Sequence, residues 1–281
     1  MHDDSLAPFL AHIARCHTAI LPGDRRPVAL GQHIFGLADP RLFDALTSFG
    51  YASDPDRTAG SPSFQLPENT DLVILGERLA ALGLYRPHNE LFDVFDDKGD
   101  VIGQIDRGAL PLLGCTAAGV HLNGLVRRDD GLFLWMGHRA RNKRLDPGKL
   151  DHLAAGGICA GLTPLEALVK EAGEEAAIPP ALAEQARPVA TLRYAMERPE
   201  GLRQDTLFCY DLTLPEDFTP QPVDGEVEYF ELMPIETVYR LVRDTTEIKF
   251  NVNLVLIDLF IREGLFTPEQ SIVLREALDR A

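Results

Sequence analysis

The sequence predicts an α+β protein: a mixed sheet sandwiched by helices over residues 114–281, preceded by a smaller α+β domain over residues 1–113. Three observations lead there. The chain has 281 residues, more than one typical domain, so two hydrophobic cores are allowed. Strand-like alternation and well-marked helix starts interleave after Gly114, the pattern of helices packed on a sheet. The residue types that carry chemistry also begin to concentrate there, whereas the opening third has none in one place.

In chain order, Leu6, Phe9, Leu10, Ile13 and Ala14 recur at helical spacing, giving an amphipathic helix over 4–18. Residues 53–67 are rich in Ser, Asp, Gly and Pro and read as a loop. A second helix fits 70–84. Strand-like 91–95 and 101–105 flank Asp96-Asp97-Lys98-Gly99, a hairpin signal. Two further strands, 119–127 and 131–137, surround the turn Arg128-Asp129-Asp130, and a basic, turn-rich stretch fills 138–149. Residues 153–158 form a short glycine-rich segment, followed by a helix. Strands over 189–196, 206–212 and 227–232 then lead to three helices, 235–243, 250–263 and one starting at Pro268.

Composition narrows the partners. There are 43 acidic and 27 basic residues, a formal charge of −16. Such a surface repels nucleic-acid backbones and anionic lipid, so neither nucleic acid nor membrane is expected as a partner. It repels phosphorylated ligands too, so an anionic substrate needs a local cation. Cys16, Cys115, Cys159 and Cys209 lie far apart with no zinc spacing. Reduced thiols, with neither a secretory h-region nor an apolar run of about 18–20 residues, give a cytoplasmic expectation.

The helix after the glycine-rich segment is the most informative element. Thr163 is a good N-cap, Pro164 suits the first helical position, and Glu166 completes a capping box. Leu165, Leu168, Val169, Ala172 and Ala176 form its apolar stripe, and Pro179-Pro180 ends it. Glu171, Glu174 and Glu175 lie three and four apart, on neighbouring turns of one face. Like charges so placed repel by roughly 0.2–0.5 kcal/mol per pair, and the C-terminal half of a helix disfavours negative charge. A divalent cation reverses that sign, because carboxylates are hard oxygen ligands for Mg²⁺ or Mn²⁺. A solvated acidic face is the plainer alternative for an isolated E-x-x-E-E. Ala155-Gly156-Gly157 lets backbone approach a ligand closely, and Arg139, Arg141, Lys143, Arg144 and Lys149 offer the needed cations, or else an ordinary charged loop.

With these residues in place, the chain resembles the Nudix hydrolases. Their box runs G, five residues, E, seven residues, R-E-U-x-E-E-x-G-U, with U a bulky aliphatic. Gly156 takes the glycine place, and Lys170-Glu171-Ala172-Gly173-Glu174-Glu175-Ala176-Ala177-Ile178 takes the last block. Leu162 stands where the first glutamate is usual, Lys170 replaces arginine, and Ala177 replaces glycine. Gly119-Val120-His121-Leu122-Asn123-Gly124, Pro147-Gly148-Lys149-Leu150-Asp151, Asp224-Gly225-Glu226-Val227-Glu228 and Lys249-Phe250-Asn251 resemble the thiamine-pyrophosphokinase-related subfamily, which carries its own N-terminal domain.

The resemblance implies Mg²⁺-dependent hydrolysis (Mn²⁺ as alternative) of thiamine diphosphate or its oxidised analogues to the monophosphate and phosphate. It implies Glu171, Glu174 and Glu175 as metal ligands, with Lys170 beside them. Glu226 is the candidate distal carboxylate or base, with Glu228 second; both are expected to face the same side of a strand, and solvent-facing acids are the alternative. Arg139, Arg141, Lys149, Gly156 and Gly157 are candidate substrate contacts. An ADP-ribose-like pyrophosphatase and a non-catalytic ligand-binding protein remain competing readings. His121 is read as a hydrogen-bonded structural residue or a pocket wall, Asn251 and Asn253 as helix caps, Trp135 and Tyr194 as core or stacking residues, and Cys159 as a small buried side chain. Two roles stay open for residues 1–113: completing the pocket, or pairing two copies into a homodimer.

Overall fold

The computed structural model describes residues 4–53 and 64–280. After a 3₁₀ turn, the opening region runs α1 (Ala7–Cys16), β1 (Arg26–Leu30), β2 (His33–Ala38), α2 (Phe43–Ser48), β3 (Ala52–Ser53), β4 (Phe64–Leu66), α3 (Leu72–Ala81), β5 (Leu91–Phe95), β6 (Val101–Asp106) and α4 (Leu110–Leu113). The larger region follows as β7 (Thr116–Arg128), β8 (Gly131–Arg139), β9 (Leu150–Asp151), β10 (Ala154–Gly157), α5 (Pro164–Ala176), α6 (Pro180–Ala183), β11 (Arg187–Arg198), β12 (Gly201–Thr213), β13 (Val227–Pro234), α7 (Ile235–Asp244), α8 (Val252–Arg262) and α9 (Pro268–Leu278).

The expected mixed sheet is present. Its order is β11-β12-β7-β8-β13, with β10 paired to β7 and β9 to β8. Strand β12 runs parallel to β7, and the other pairs are antiparallel. Strand β7 is buried on both faces, which alternation explains: Val120, Leu122 and Val126 pack toward α5 and α6, whereas Leu125 packs toward α7, α8 and α9. Helices therefore cover both sides of the sheet.

The opening region holds its own core, with Val28, Phe64, Leu66, Leu75, Leu79 and Ile105 buried among the four-stranded sheet β2-β1-β4-β3, α3 and the β5–β6 hairpin. Strands β1, β2 and β3 were not expected, because β1 and β2 carry Pro27 and Gly36 and β3 is only two residues long. The expected loop over 53–67 is corrected at its end, where β4 pairs in parallel with β1; residues 54–63 lie outside the described residues. The second helix is shorter than 70–84. Asp71 caps it by accepting from the Val73 and Ile74 N–H groups, and Gly83 leaves it at a φ of 70°.

Helix α1 crosses the expected division at residue 113. Its Phe9, Ile13 and Cys16 join the core of α7, α8 and α9, with Phe9 edge-on to Phe266 at 5.0 Å. The two regions also dock through β5. Phe92 sits where a Cβ on Gly157 would collide with it, and Asp93 accepts from the Gly161 N–H at 2.8 Å. That docking creates the cleft described next.

Candidate active site in the interdomain cleft

Helix α5 forms as its local sequence dictates. The Thr163 side chain accepts from the Glu166 N–H, and the Glu166 carboxylate accepts from the Thr163 N–H at 2.9 Å. Ala167, Leu168, Ala172 and Ala176 are its buried stripe. The helix stops before Pro179 rather than at it. Ala177 takes a left-handed φ of 54°, and the Ile178 N–H returns to the Ala172 carbonyl.

This geometry separates the three glutamates. Glu175 is buried and accepts from the Ala155 N–H on β10 at 2.9 Å. Glu171, mostly buried, lies flat over the same strand, and a Cβ on Gly156 would collide with its carboxyl group. Glu174 stays on the solvent side, where Lys170 donates to it at 2.7 Å and to Glu171 at 3.4 Å. The glycine in the box is thus explained by contact. Only a residue without a side chain lets Glu171 reach this position.

A second source of carboxylates comes from the loop before β13. Oxygen atoms of Glu175, Asp224 and Glu226 all lie within 4.8 Å of one another. Asp224 was not singled out from the sequence, although its Asp-Gly-Glu segment was; its Oδ1 also accepts from the Glu226 N–H. Glu228 does not join them. An irregularity between Val227 and Tyr229 breaks strand alternation, and Glu228 turns out to accept from the Arg141 N–H at 3.2 Å.

The electrostatics of the group ask for a cation. Burial, together with nearby Asp151 and Glu171, holds the Glu175 carboxyl well above its usual range. Burial likewise raises Glu171, against the pull of Lys170. Among the described residues Glu175 has no ion-pair partner, and a buried charge without one is costly. Acidic oxygens from two elements, whose neighbouring cations Lys170, Lys143 and Lys249 each already pair with a carboxylate, fit a hard divalent ion. Glu171, Glu175 and Asp224 would hold it, with Glu226 beside them and Glu174 at the rim.

Glu171, Glu174, Asp224 and Glu226 line one side of a cavity of about 990 Å³ between the two regions, with Glu175 buried behind them. Glu171, Glu174, Lys170, Gly156, Gly157, Arg139 and Glu226 are on its wall. The opening region supplies Tyr85, Arg86, His88 and Arg107, so residues 1–113 help to form the pocket.

Three expected cations need correction. Arg139 spends its donors on Asp151 at 2.6 Å and on the Leu145 and Asp146 carbonyls, so it braces the loop. Arg141 is exposed and lies off the cavity, and Lys149 pairs with Asp146 at 3.2 Å beside a separate, smaller cavity. The loop cations that reach the cleft are Lys143, paired with Glu226, and Arg144, which has no acidic partner among the described residues. Left-handed backbone at Asp146 and Gly148 reverses the chain, so side-chain direction here could not be read from spacing.

Behind the acids lies a buried polar layer. Asp151 is clamped by Arg139 and by Lys249 at 2.9 Å; burial opposes its ionisation, but the two cations prevail and hold it well below the usual carboxylate range. His121 and His152 meet through their Nδ1 atoms at 2.9 Å, and burial keeps both neutral, His152 lowered to about 4. His121 is therefore structural. Asn251 is corrected: it stands before α8 with helical backbone and no capping bond, facing His121 Nε2 at 3.4 Å. Asn253 donates to carbonyls of residues 248–250. Cys159 is only partly buried, and burial and Glu90 raise its thiol to about 11.

A mixed sheet between helices, with an acid-bearing helix laid on a glycine strand, defines a class of protein that holds clustered carboxylates beside a small-molecule cleft. Comparison with known proteins gives the family. The NUDIX domain model matches residues 119–252. Nudix hydrolase 20, chloroplastic, from Arabidopsis thaliana is 36% identical over 96% of this chain and 76% of its own length. Nudix hydrolase 24, chloroplastic, from the same plant is 35% identical over 95% of this chain and 76% of its own. A crystal structure from Deinococcus radiodurans superposes with a TM-score of 0.46 at 24% identity, covering 59% of this chain and 97% of that one. The chain belongs to the Nudix hydrolases.

Those two plant relatives overturn the cytoplasmic expectation, since both are named as chloroplastic. Free thiols do not distinguish one reducing compartment from another. Among the described residues no helix is long and apolar enough to cross a membrane.

Proposed function

We propose that this Nudix hydrolase cleaves the phosphoanhydride of a small organic diphosphate, thiamine diphosphate or its oxidised analogues, to the monophosphate and phosphate. The observation that carries the hydrolytic reading is the buried, unpaired Glu175 beside Glu171, Asp224 and Glu226. The thiamine class is supported by the resemblance of several sequence blocks to the thiamine-pyrophosphokinase-related subfamily. A cavity of about 990 Å³, at the upper end for small-molecule sites, favours an ADP-ribose-like diphosphate as second reading.

Mg²⁺, or Mn²⁺ in its place, supplies Lewis acidity when bound: it neutralises phosphoryl charge and makes water easier to deprotonate. The chain's own residues do the rest. Glu226, on a loop separate from α5 and half-exposed to the cleft, accepts the proton of the attacking water. The water oxygen bonds to the terminal phosphorus as the bridging P–O bond breaks, and the monophosphate leaves on its own oxygen. Lys143 and Arg144 face the phosphate charge, and Lys170 keeps Glu171 and Glu174 oriented. Asp151 holds Lys249 at the cavity wall.

A phosphate-release panel tests this reading. Thiamine diphosphate and its oxidised analogues are expected to release phosphate with Mg²⁺ and not with EDTA. Turnover of ADP-ribose alone, read through a coupled phosphatase, would replace the thiamine class by the second reading. Ligand binding with no turnover of any diphosphate would leave a non-catalytic Nudix scaffold.

A further inference from the structure

Two cations of the cleft stand apart from the rest. Every other Lys and Arg on its wall pairs with a carboxylate, whereas Arg86 and Arg144 meet none among the described residues. In a chain with a formal charge of −16, two unpaired guanidiniums on one cavity are unexpected. They come from different regions, Arg86 from the loop between α3 and β5 and Arg144 from the loop between β8 and β9. The two loops converge at the His88 ring. Partial burial, and then Arg107 and Arg144, hold that ring below its usual range, so Arg144 comes within electrostatic reach of the segment that carries Arg86.

That segment is fixed before any ligand arrives. Asp106 accepts from the His88 and Asn89 N–H groups at 3.1 and 2.7 Å and from the Gly108 N–H at 2.8 Å. Pro87 restricts the backbone next to Arg86, and a Cβ on Gly108 would collide with the Arg86 carbonyl. Glu90 pairs with Arg107 at 2.9 Å, so Arg107 adds hydrogen-bond donors to this wall but no net charge. The uncompensated charge is therefore that of two guanidiniums, one from each region.

We propose that Arg86 and Arg144 form a second anion site in the cleft, one that takes a phosphate dianion without metal. Two guanidinium charges balance those of a fully ionised orthophosphate or phosphomonoester, and each fork matches phosphate oxygens bidentately. The carboxylates on α5 and in the loop before β13 repel the same dianion. Once the bridging bond is broken, a released phosphate group thus rests on the cationic side. That consequence rests on the diphosphatase reading; the binding itself does not. It also makes the product an inhibitor, because a phosphate held there occupies the cleft that the next diphosphate must enter.

Calorimetric titration in EDTA, at about pH 8 where both probes are dianions, tests the site without turnover. The probes are orthophosphate and phenyl phosphate. The wild type is expected to bind saturably; tighter orthophosphate assigns the site to the released phosphate, and tighter phenyl phosphate to the organic monophosphate. Arg86→Gln and Arg144→Gln are each expected to weaken binding by about tenfold. Sulfate is expected to compete, and perchlorate, a tetrahedral monoanion, to compete far less. No binding of either probe, binding unchanged in both variants, or perchlorate competing as well as sulfate overturns the proposal.

With Mg²⁺ and a diphosphate substrate, the tighter probe is expected to inhibit competitively, at an inhibition constant that Arg86→Gln raises about tenfold. Anion binding that the variants lose, with no hydrolysis of any diphosphate, sinks the diphosphatase reading alone. Hydrolysis by a protein whose anion binding neither variant alters sinks this one alone. Both side chains are exposed, so neither substitution is expected to move the melting temperature, and a loss of binding reads the site rather than the fold.

Discussion

Glu175 is the side chain whose charge this protein can least easily tolerate without a cation, and two predictions follow from it. Glu175→Gln keeps the shape and the contact to Ala155 but removes the charge. It is expected to lower Mg²⁺-dependent phosphate release by at least about a hundredfold, while the metal-free melting temperature stays at or above that of the wild type. A fall in both together would mean that Glu175 is only a structural acid. The second prediction concerns pH. The folded-state value of Glu175 is raised above its unfolded one by burial, so its contribution to metal-free stability is fully present below the ordinary value of about 4.5 and is lost as pH rises through the folded value. A bound cation removes that loss. The rise in melting temperature caused by Mg²⁺ is therefore expected to be larger at pH 8 than at pH 6, and calorimetric scans at both values check the sign.

At the scale of the element, α5 ends on a feature that sequence comparison alone treats as a blemish. Ala177 stands where the family pattern has glycine, and its φ of 54° is a conformation that favours glycine. Ala177→Gly is expected to stabilise the protein by about 1 kcal/mol in urea unfolding without altering KM. Strand β10 makes the opposite demand. Gly156→Ala is expected to push the Glu171 carboxyl off the strand and reduce turnover more than it reduces stability, measured by parallel rate and melting experiments.

How much of the site could be read in advance follows from the same two elements. The helix start, its buried stripe and its acids were legible because capping and periodicity are local properties of Thr163–Ala176. Asp224 and the true loop cations were not. Their positions depend on a strand irregularity beside Val227 and on reversed backbone at Asp146 and Gly148, neither of which has a fixed spacing. In the opening region the hairpin over 91–106 was readable from its turn, whereas β1 and β2, a hairpin across Gly31-Gln32, carry Pro27 and Gly36 inside their strands and so lack a clean strand pattern.

At the scale of the whole molecule, the cleft exists because two cores are docked rather than tethered. Phe92 of the opening region fits against the bare backbone of Gly157, and Ala160 donates to the Leu91 carbonyl at 2.8 Å. Phe92→Ala is expected to cost about 3–5 kcal/mol in urea unfolding, the usual range for a buried phenylalanine, and to raise KM, because the wall bearing Tyr85, Arg86 and Arg107 loses its anchor. An unchanged KM would separate the opening region from substrate binding. The excess of acid in the chain, −16 overall, makes that wall more informative: Arg86 and Arg144 line the cleft with no acidic partner among the described residues.

The carboxylate group itself is open to direct measurement. Manganese titration followed by electron paramagnetic resonance reads the free ion as the protein takes it up, with no need for a known substrate. The wild type is expected to remove Mn²⁺ from solution saturably, to release it to excess Mg²⁺, and to lose this uptake in Glu175→Gln. Equal uptake by wild type and variant, or none by either at millimolar ion, would contradict the account.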